Sequence, residues 1–332
     1  MSLCVAAVLL ISAQLIGQEL SCPSGTKLVT GQHYENVERL CLKFSQDTCW
    51  SYFPWLMAIE GRTTSISVCM DEYEWPNEKG ALPPVMMKFT EAEASCKSVG
   101  KRLCSEFEWE LACESNEVLP FLYGFDFKKQ VCVNDKPYKG YDQAKLSSLD
   151  KKVRDQETKR LYQAEPSGSR EACVSAFGVH DLIGNVEEWV TTSRPEWPYV
   201  SSLKGGYWAK PRSACRGTND SHGPNFRFYD IGFRCCVDPT SAQPVQGSGA
   251  QASAAPAVAG YLRSPYEANL HSISPFMMRT SLEGRAGMAS SSSGVPHNTL
   301  EYPSPPFLGL LLRSTMAPNE LSSLGVRLIR SP

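Results

Sequence analysis

His180-Asp181-Leu182-Ile183-Gly184-Asn185-Val186-Glu187-Glu188-Trp189, followed by Leu203-Lys204-Gly205-Gly206-Tyr207-Trp208, is the stretch on which the fold reading turns. Gly184-Asn185 makes a tight turn that can bring alternate backbone carbonyls together, and Asp181 and Glu188 place a carboxylate on either flank. Taken alone, these are ordinary turn and surface carboxylates. What gives them weight is their company. Upstream lie Gly100-Lys101-Arg102-Leu103 and Glu106-Phe107-Glu108-Trp109-Glu110-Leu111-Ala112-Cys113; downstream lies Gly232-Phe233-Arg234-Cys235.

Between these motifs the local signals are clear. Ile66 to Asp71 alternates with β-branched residues and reads as a strand. Thr90 with Glu93 forms a capping box for a helix carrying Ala92, Cys96 and Val99 and stopping at Gly100. Ser105 with Glu108 opens a second helix bearing Phe107, Leu111 and Ala112; both helices, with Trp109, are expected in the core. Lys145 to Arg160 is a charge run of the kind that forms a solvated helix or loop.

Four segments are expected: a signal peptide over 1–17, a cysteine-containing N-terminal extension over 18–65, one domain over 66–238, and a disordered tail over 239–332. Leu3 to Ile16 is apolar and too short to span a bilayer, though no basic residue precedes Lys27. The extension is irregular, and is expected to be stapled to the domain by its cysteines. The tail has no Cys, Trp, Lys or Asp and is rich in Ser, Pro, Ala and Gly, too poor in apolar surface to offset chain entropy.

Formal charge is -2, so no electrostatic footprint points to nucleic acid or an anionic membrane. The thirteen cysteines all fall between Cys4 and Cys236. With no C-x-x-C, and no two of His33, His180, His222, His271 and His297 at helical metal spacing, they read as disulfides of a secreted, periplasmic or otherwise extracytoplasmic protein rather than as zinc ligands. Cys132 and Cys173 bracket the polar insertion and could close it. Cys236 could be a free thiol or pair with Cys69 or Cys104.

Together the four motifs, spanning roughly 67–238, resemble the formylglycine-generating enzyme family, the sulfatase-modifying factors, whose signatures are G-N-x-x-E-W, G-G-S-[WY], G-K-R-L-x-[ST]-E-x-E-W-E and G-F-R. The resemblance implies an α+β fold akin to C-type lectins, with little regular secondary structure, pinned by disulfides. It also implies bridges Cys96–Cys235 and Cys113–Cys215, and structural calcium held by Asp181, the carbonyls of Gly184 and Val186, and Glu188. A second calcium site would use Asn134, with its partner left open.

Active members of the family bind Cu(I) through two cysteines after the G-G pair, five residues apart, as thiolates suited to a soft ion. Counting forward from Gly205-Gly206 places Lys210 at the first and Cys215 at the second. Counting back from Gly232 makes Cys215 the structural partner of Cys113. The pair is incomplete on either count, so Cys215 is a weak catalytic candidate and copper is not expected. No iron-binding H-x-x-x-H-x-E, nucleophile elbow, P-loop or dinucleotide fingerprint is found. The expectation is a non-catalytic domain with a groove formed by Tyr207, Trp208, Arg212 and Arg216, taking a peptide or small polar ligand. The alternative is an oxidase converting a sulfatase-type cysteine to formylglycine.

Overall fold

The computed structural model describes residues 20–45, 48–194, 198–211, 214–241 and 327–331; the expected signal segment lies outside them. After β1 (Leu20–Ser21) the chain forms an antiparallel hairpin of β2 (Thr26–Ser45) and β3 (Thr48–Asp71), with Thr26 opposite Asp71 and Ser45 opposite Thr48. Between Val29 and Cys41 the buried residues of β2 fall on odd positions, Val29, His33, Val37, Arg39 and Cys41, with Glu38 the exception. Over that stretch the two-residue period of a strand is largely kept. It is hidden in the sequence because His33 and Arg39 occupy slots where an aliphatic residue would have shown it. This corrects the expected irregular extension over 18–65. Its boundary falls inside β3, and Val29, Cys41, Cys49 and Tyr52 join the main core around Trp109.

Helix α1 (Phe89–Ser98) starts two residues earlier than its capping box predicts: the amide of Lys88, not Thr90, caps back, donating to Glu91 Oε2 at 3.0 Å. Phe89 is buried edge-on against Trp189, and that packing fixes the earlier start. Gly100 ends the helix at φ 72°, a conformation that costs glycine little. After β4 (Arg102–Leu103), α2 (Glu106–Glu114) begins as its capping box predicts, with Ser105 Oγ accepting from the Glu108 amide and Glu108 accepting from the Ser105 amide. The charge run contains two short helices, α3 (Gln143–Leu146) and α4 (Lys151–Leu161), capped by Asp142 and Asp150.

The remaining strands are β5 (Glu187–Thr191), β6 (Ser201–Lys204), β7 (Gly206–Tyr207), β8 (Lys210–Pro211), β9 (Thr218–Asn219), β10 (Ile231–Phe233), β11 (Cys235–Val237), β12 (Thr240–Ser241) and β13 (Arg327–Ser331). One sheet has the order β13-β2-β3-β11-β4, a second β10-β5-β6-β9, and the pairs β1-β12 and β7-β8 complete the set. In the second sheet β10 runs parallel to β5 while the other pairs are antiparallel. Arg234 lies between β10 and β11, so one residue joins the two large sheets. Of the segment 239–332, the described parts are β12 and β13; the backbone of β13 pairs with Val37 to Cys41 of β2.

Six disulfides tie this framework: Cys22–Cys69, Cys41–Cys49, Cys96–Cys235, Cys104–Cys236, Cys113–Cys215 and Cys132–Cys173. Three of them close loops of more than 100 residues. By loop-closure entropy each of these withholds about 4 to 5 kcal/mol of freedom from the unfolded chain. That compensates for the scarcity of long helices. No helix among the described residues is long and apolar enough to cross a membrane.

Candidate functional site

The Gly-Asn turn is built by unusual backbone. Asp181, Gly184 and Asn185 have φ of 61°, 86° and 54°. A side chain at Gly184 would come within 2.3 Å of the Val133 carbonyl, so glycine is required for closeness as well as for φ. Asn185 is the hub: its Nδ2 donates to Glu74 Oε2 (2.7 Å) and to the Glu165 carbonyl, while its Oδ1 accepts from the Glu165 amide. The Val186 amide donates to the other oxygen of Glu74.

Beneath the turn, Arg234 forms a bidentate pair with Glu188, both contacts at 2.7 Å, and donates to the carbonyls of Asp71 and His180. Trp109 Nε1 adds a bond to Glu188 Oε2 at 2.8 Å. The sequence motifs thus meet in one buried cluster in which three carboxylates, Glu74, Asp181 and Glu188, share a single guanidinium. Burial, then the charges of Asp181 and Glu188, push Glu74 well above the usual carboxylate range. Burial raises Asp181 to about 6; neighbouring carboxylates add to this, against the opposing pull of the Gly168 amide and Arg234.

The family resemblance implies calcium at Asp181, Gly184, Val186 and Glu188, but among the described residues no group of three or more His, Cys, Asp or Glu is placed to hold a metal ion, and both Glu188 oxygens are already taken by Arg234. Nearby, the side chain of Asn134 is fully buried and interacts with the phenol of Tyr123.

On the other side of Trp109 lies a second ionic cluster that the sequence did not suggest. Glu106, Glu110 and Glu114 follow each other at four-residue spacing along α2, all fully buried. Lys204 Nζ sits 2.7 Å from Glu110, Arg216 is bidentate to Glu114 at 2.7 Å, and Arg194 reaches Glu106 at 3.4 Å. Arg39 lies 3.8 Å from Glu114, and His33 Nε2 lies 2.6 Å from Glu110. Burial alone would raise Glu110, but Lys204, the His33 hydrogen bond and Arg216 outweigh it and hold the carboxyl well below its ordinary range. Arg216, expected in the groove, belongs here instead, because its planar fork matches the Glu114 carboxylate.

Cys215 is buried and bridged to Cys113, the pairing the resemblance implies. Every cysteine among the described residues is in a disulfide, so none offers the thiolate pair that Cu(I) requires. The donor set does not fit that metal.

A groove is present nonetheless. A cavity of about 780 Å³ is bounded by the hairpin end at Thr48 and Trp50, the insertion at Tyr138 and Tyr141, β7–β8 at Tyr207 and Lys210, and the segment from Asn219 to Ile231. Of the expected groove residues, Tyr207 lines it. Trp208 is buried behind it, packed against Tyr207 and Tyr229 at ring separations of 5.8 and 5.9 Å, and Arg212 lies outside the described residues. Sequence reading missed Glu187, Asp230 and the aromatic run around Phe226-Arg227-Phe228-Tyr229. The signal available was three aromatic residues within four positions of an otherwise polar loop.

An α+β domain with two small sheets, few helices and a dense set of disulfides is the class these features define. Residues 29–239, well over half of the chain, match the model of the sulfatase-modifying factor enzyme 1-like domain, and the chain belongs to that family. None of the curated proteins matches it. Among solved structures it is similar to "Crystal Structure of CarF" at 14% identity and TM-score 0.39, over 63% of this chain and 98% of that one. The I1 and U1 variants of Major Tropism Determinant are each 14% identical over 52% of this chain, at TM-scores of 0.32 and 0.31, covering 51% and 50% of those chains.

Proposed function

We propose that the protein is a non-catalytic, extracytoplasmic member of its family that uses the groove at Tyr207 to bind a peptide or small polar ligand. The observation that carries this reading is the contrast between Cys215, locked to Cys113, and the open 780 Å³ cavity beside the position where the chemistry would sit. Lys210 lines that cavity where the forward count from Gly205-Gly206 calls for a thiolate, and an ammonium cannot ligate Cu(I). Six bridges support residence in an oxidising compartment.

The test is Cu(I) titration of the purified protein together with an assay on a C-x-P-x-R peptide. Neither stoichiometric tight copper nor aldehyde is expected; obtaining both would establish the oxidase instead. Structural calcium is the second part of the proposal, held by Asp181, the carbonyls of Gly184 and Val186, and Glu188. Calcium should raise the melting temperature of chelator-treated protein, and Asp181→Asn should remove that rise. An equal rise in the variant would place the ion elsewhere.

A further inference from the structure

The C-terminal strand differs in kind from its neighbours in the five-stranded sheet. β2 pairs with β3 along one edge, and its other edge between Val37 and Cys41 is taken by the antiparallel ladder with β13, Ser331 opposite Val37 and Arg327 opposite Cys41. That stretch holds Val37, Glu38 and Arg39, the one run of successive buried residues in β2. In register, Arg330 falls directly across from Glu38. Cysteines tie the other strands covalently: Cys41 in β2, Cys49 and Cys69 in β3, Cys235 and Cys236 in β11, and Cys104 immediately after β4 are all bridged. β13 has none in or beside it, because the chain beyond Cys236 contains no cysteine. Its five residues are joined to β12 only through residues 242–326.

We propose that the β2 edge from Val37 to Cys41 is a strand-acceptor site, and that Arg327–Ser331 is a ligand held there in cis, a tethered strand that leaves and returns without unfolding the domain. An open edge presents a row of unpaired N–H and C=O groups that an extended chain can satisfy. Backbone bonding supplies the affinity and the side chains supply the selectivity. The partner that fits is an extended peptide with basic residues flanking an apolar pair, as in Arg327-Leu328-Ile329-Arg330, since a basic position across from Glu38 is favoured over an acidic one. The net gain from each ladder hydrogen bond is comparable with the entropy of ordering the residue that makes it, so five residues without a crosslink dock reversibly. Tethering offsets that weakness. An intramolecular donor acts at an effective concentration of about a millimolar, so the chain's own strand outcompetes a dilute peptide of the same sequence.

The experiment compares the full chain with the full chain carrying Leu328→Pro and Ile329→Pro. Adjacent residues of a strand point their N–H groups to opposite edges, so the double change removes a ladder donor whichever edge faces β2. The probe is a fluorescein-labelled peptide of residues 324–332 followed by anisotropy, with hydrogen exchange over 37–41 and the melting temperature measured alongside. In the variant, the amides of 37–41 that face away from β3 should lose protection while the melting transition stays cooperative. The peptide should bind the variant at least about tenfold more tightly than the unaltered chain and should restore that protection. A peptide with the same two prolines should not bind, and one with Arg330→Glu should bind about threefold more weakly. Equal binding by both proteins, or none by the variant, overturns the acceptor site. Loss of the variant's folded state overturns the tethered-ligand reading, since the strand would then be a fixed part of the domain. Sedimentation should show a monomer; a dimer that the double proline change dissolves puts the donor strand in a second copy and overturns the assignment in cis.

Discussion

Trp109 divides two buried charge clusters of opposite balance. On its indole N–H side, three carboxylates face one arginine; over its ring, where Lys204 Nζ stands 5.8 Å from the centroid, three carboxylates face three arginines, a lysine and His33. Titration behaviour follows the balance. Glu110 is held low in the cation-rich cluster, while Glu74 and Asp181 are raised in the anion-rich one. A buried charge is tolerable when its counter-charge is already part of the fold, and otherwise leaves the fold open to a proton or a metal. The first arrangement is complete in itself and welds the hairpin to α2. The anion-rich one holds more carboxylates than cations among its described residues.

The harshest way to break the comparison is Arg234→Met. It strands all three carboxylates of the anion-rich cluster, and a loss of about 5 kcal/mol is expected in urea unfolding, enough to unfold a marginal domain. A small loss would mean that a bound cation already dominates there.

Next come two matched substitutions. Glu110→Gln leaves Lys204 without its nearest charge and should cost about 3 to 4 kcal/mol, whereas Glu74→Gln removes surplus negative charge and should cost less than about 1 kcal/mol in chelator-treated protein. Equal losses would erase the distinction between the clusters.

The pH profile sharpens it further. Glu110 is depressed when folded, so its contribution is full above its unfolded value near 4.5 and is lost as pH falls below that. Asp181 runs the other way: with a folded value of about 6 against 3.8, its contribution is full below 3.8 and is lost as pH rises through about 6. In calcium-free buffer, Asp181→Asn should therefore flatten the fall in stability between about pH 4 and 6, worth at most about 3 kcal/mol. Glu110→Gln should flatten the acid limb instead. Unchanged slopes in both variants would refute the charge bookkeeping. The smallest effect is expected outside both clusters, where Arg62→Gln, at a side chain 77% exposed, should shift stability by less than about 0.5 kcal/mol.

How much of this could be read beforehand differs by region. The Gly184-Asn185 turn, the Ser105–Glu108 capping box and the glycine stop at Gly100 rest on local chemistry, a few residues bonding to their own neighbours, and each is visible in the chain. The hairpin was not, because His33 and Arg39 fill its inward positions and their partners lie 77 and 75 residues away on α2. The groove was half legible. Tyr207 sits in a recognisable motif, but Glu187 reads like any second carboxylate of a Glu-Glu pair until β10 brings Asp230 alongside it.

The sequence by itself determined the family, the cap of α2, the tight turns and the fact that the cysteines form bridges, since all of these depend on residue type and short spacing. Which carboxylate meets which cation, and that Arg216 binds Glu114 instead of lining a groove, were decided only in three dimensions. The physical reason is that charge balance in a low-dielectric interior is a sum over neighbours in space, and chain order does not say who those neighbours are.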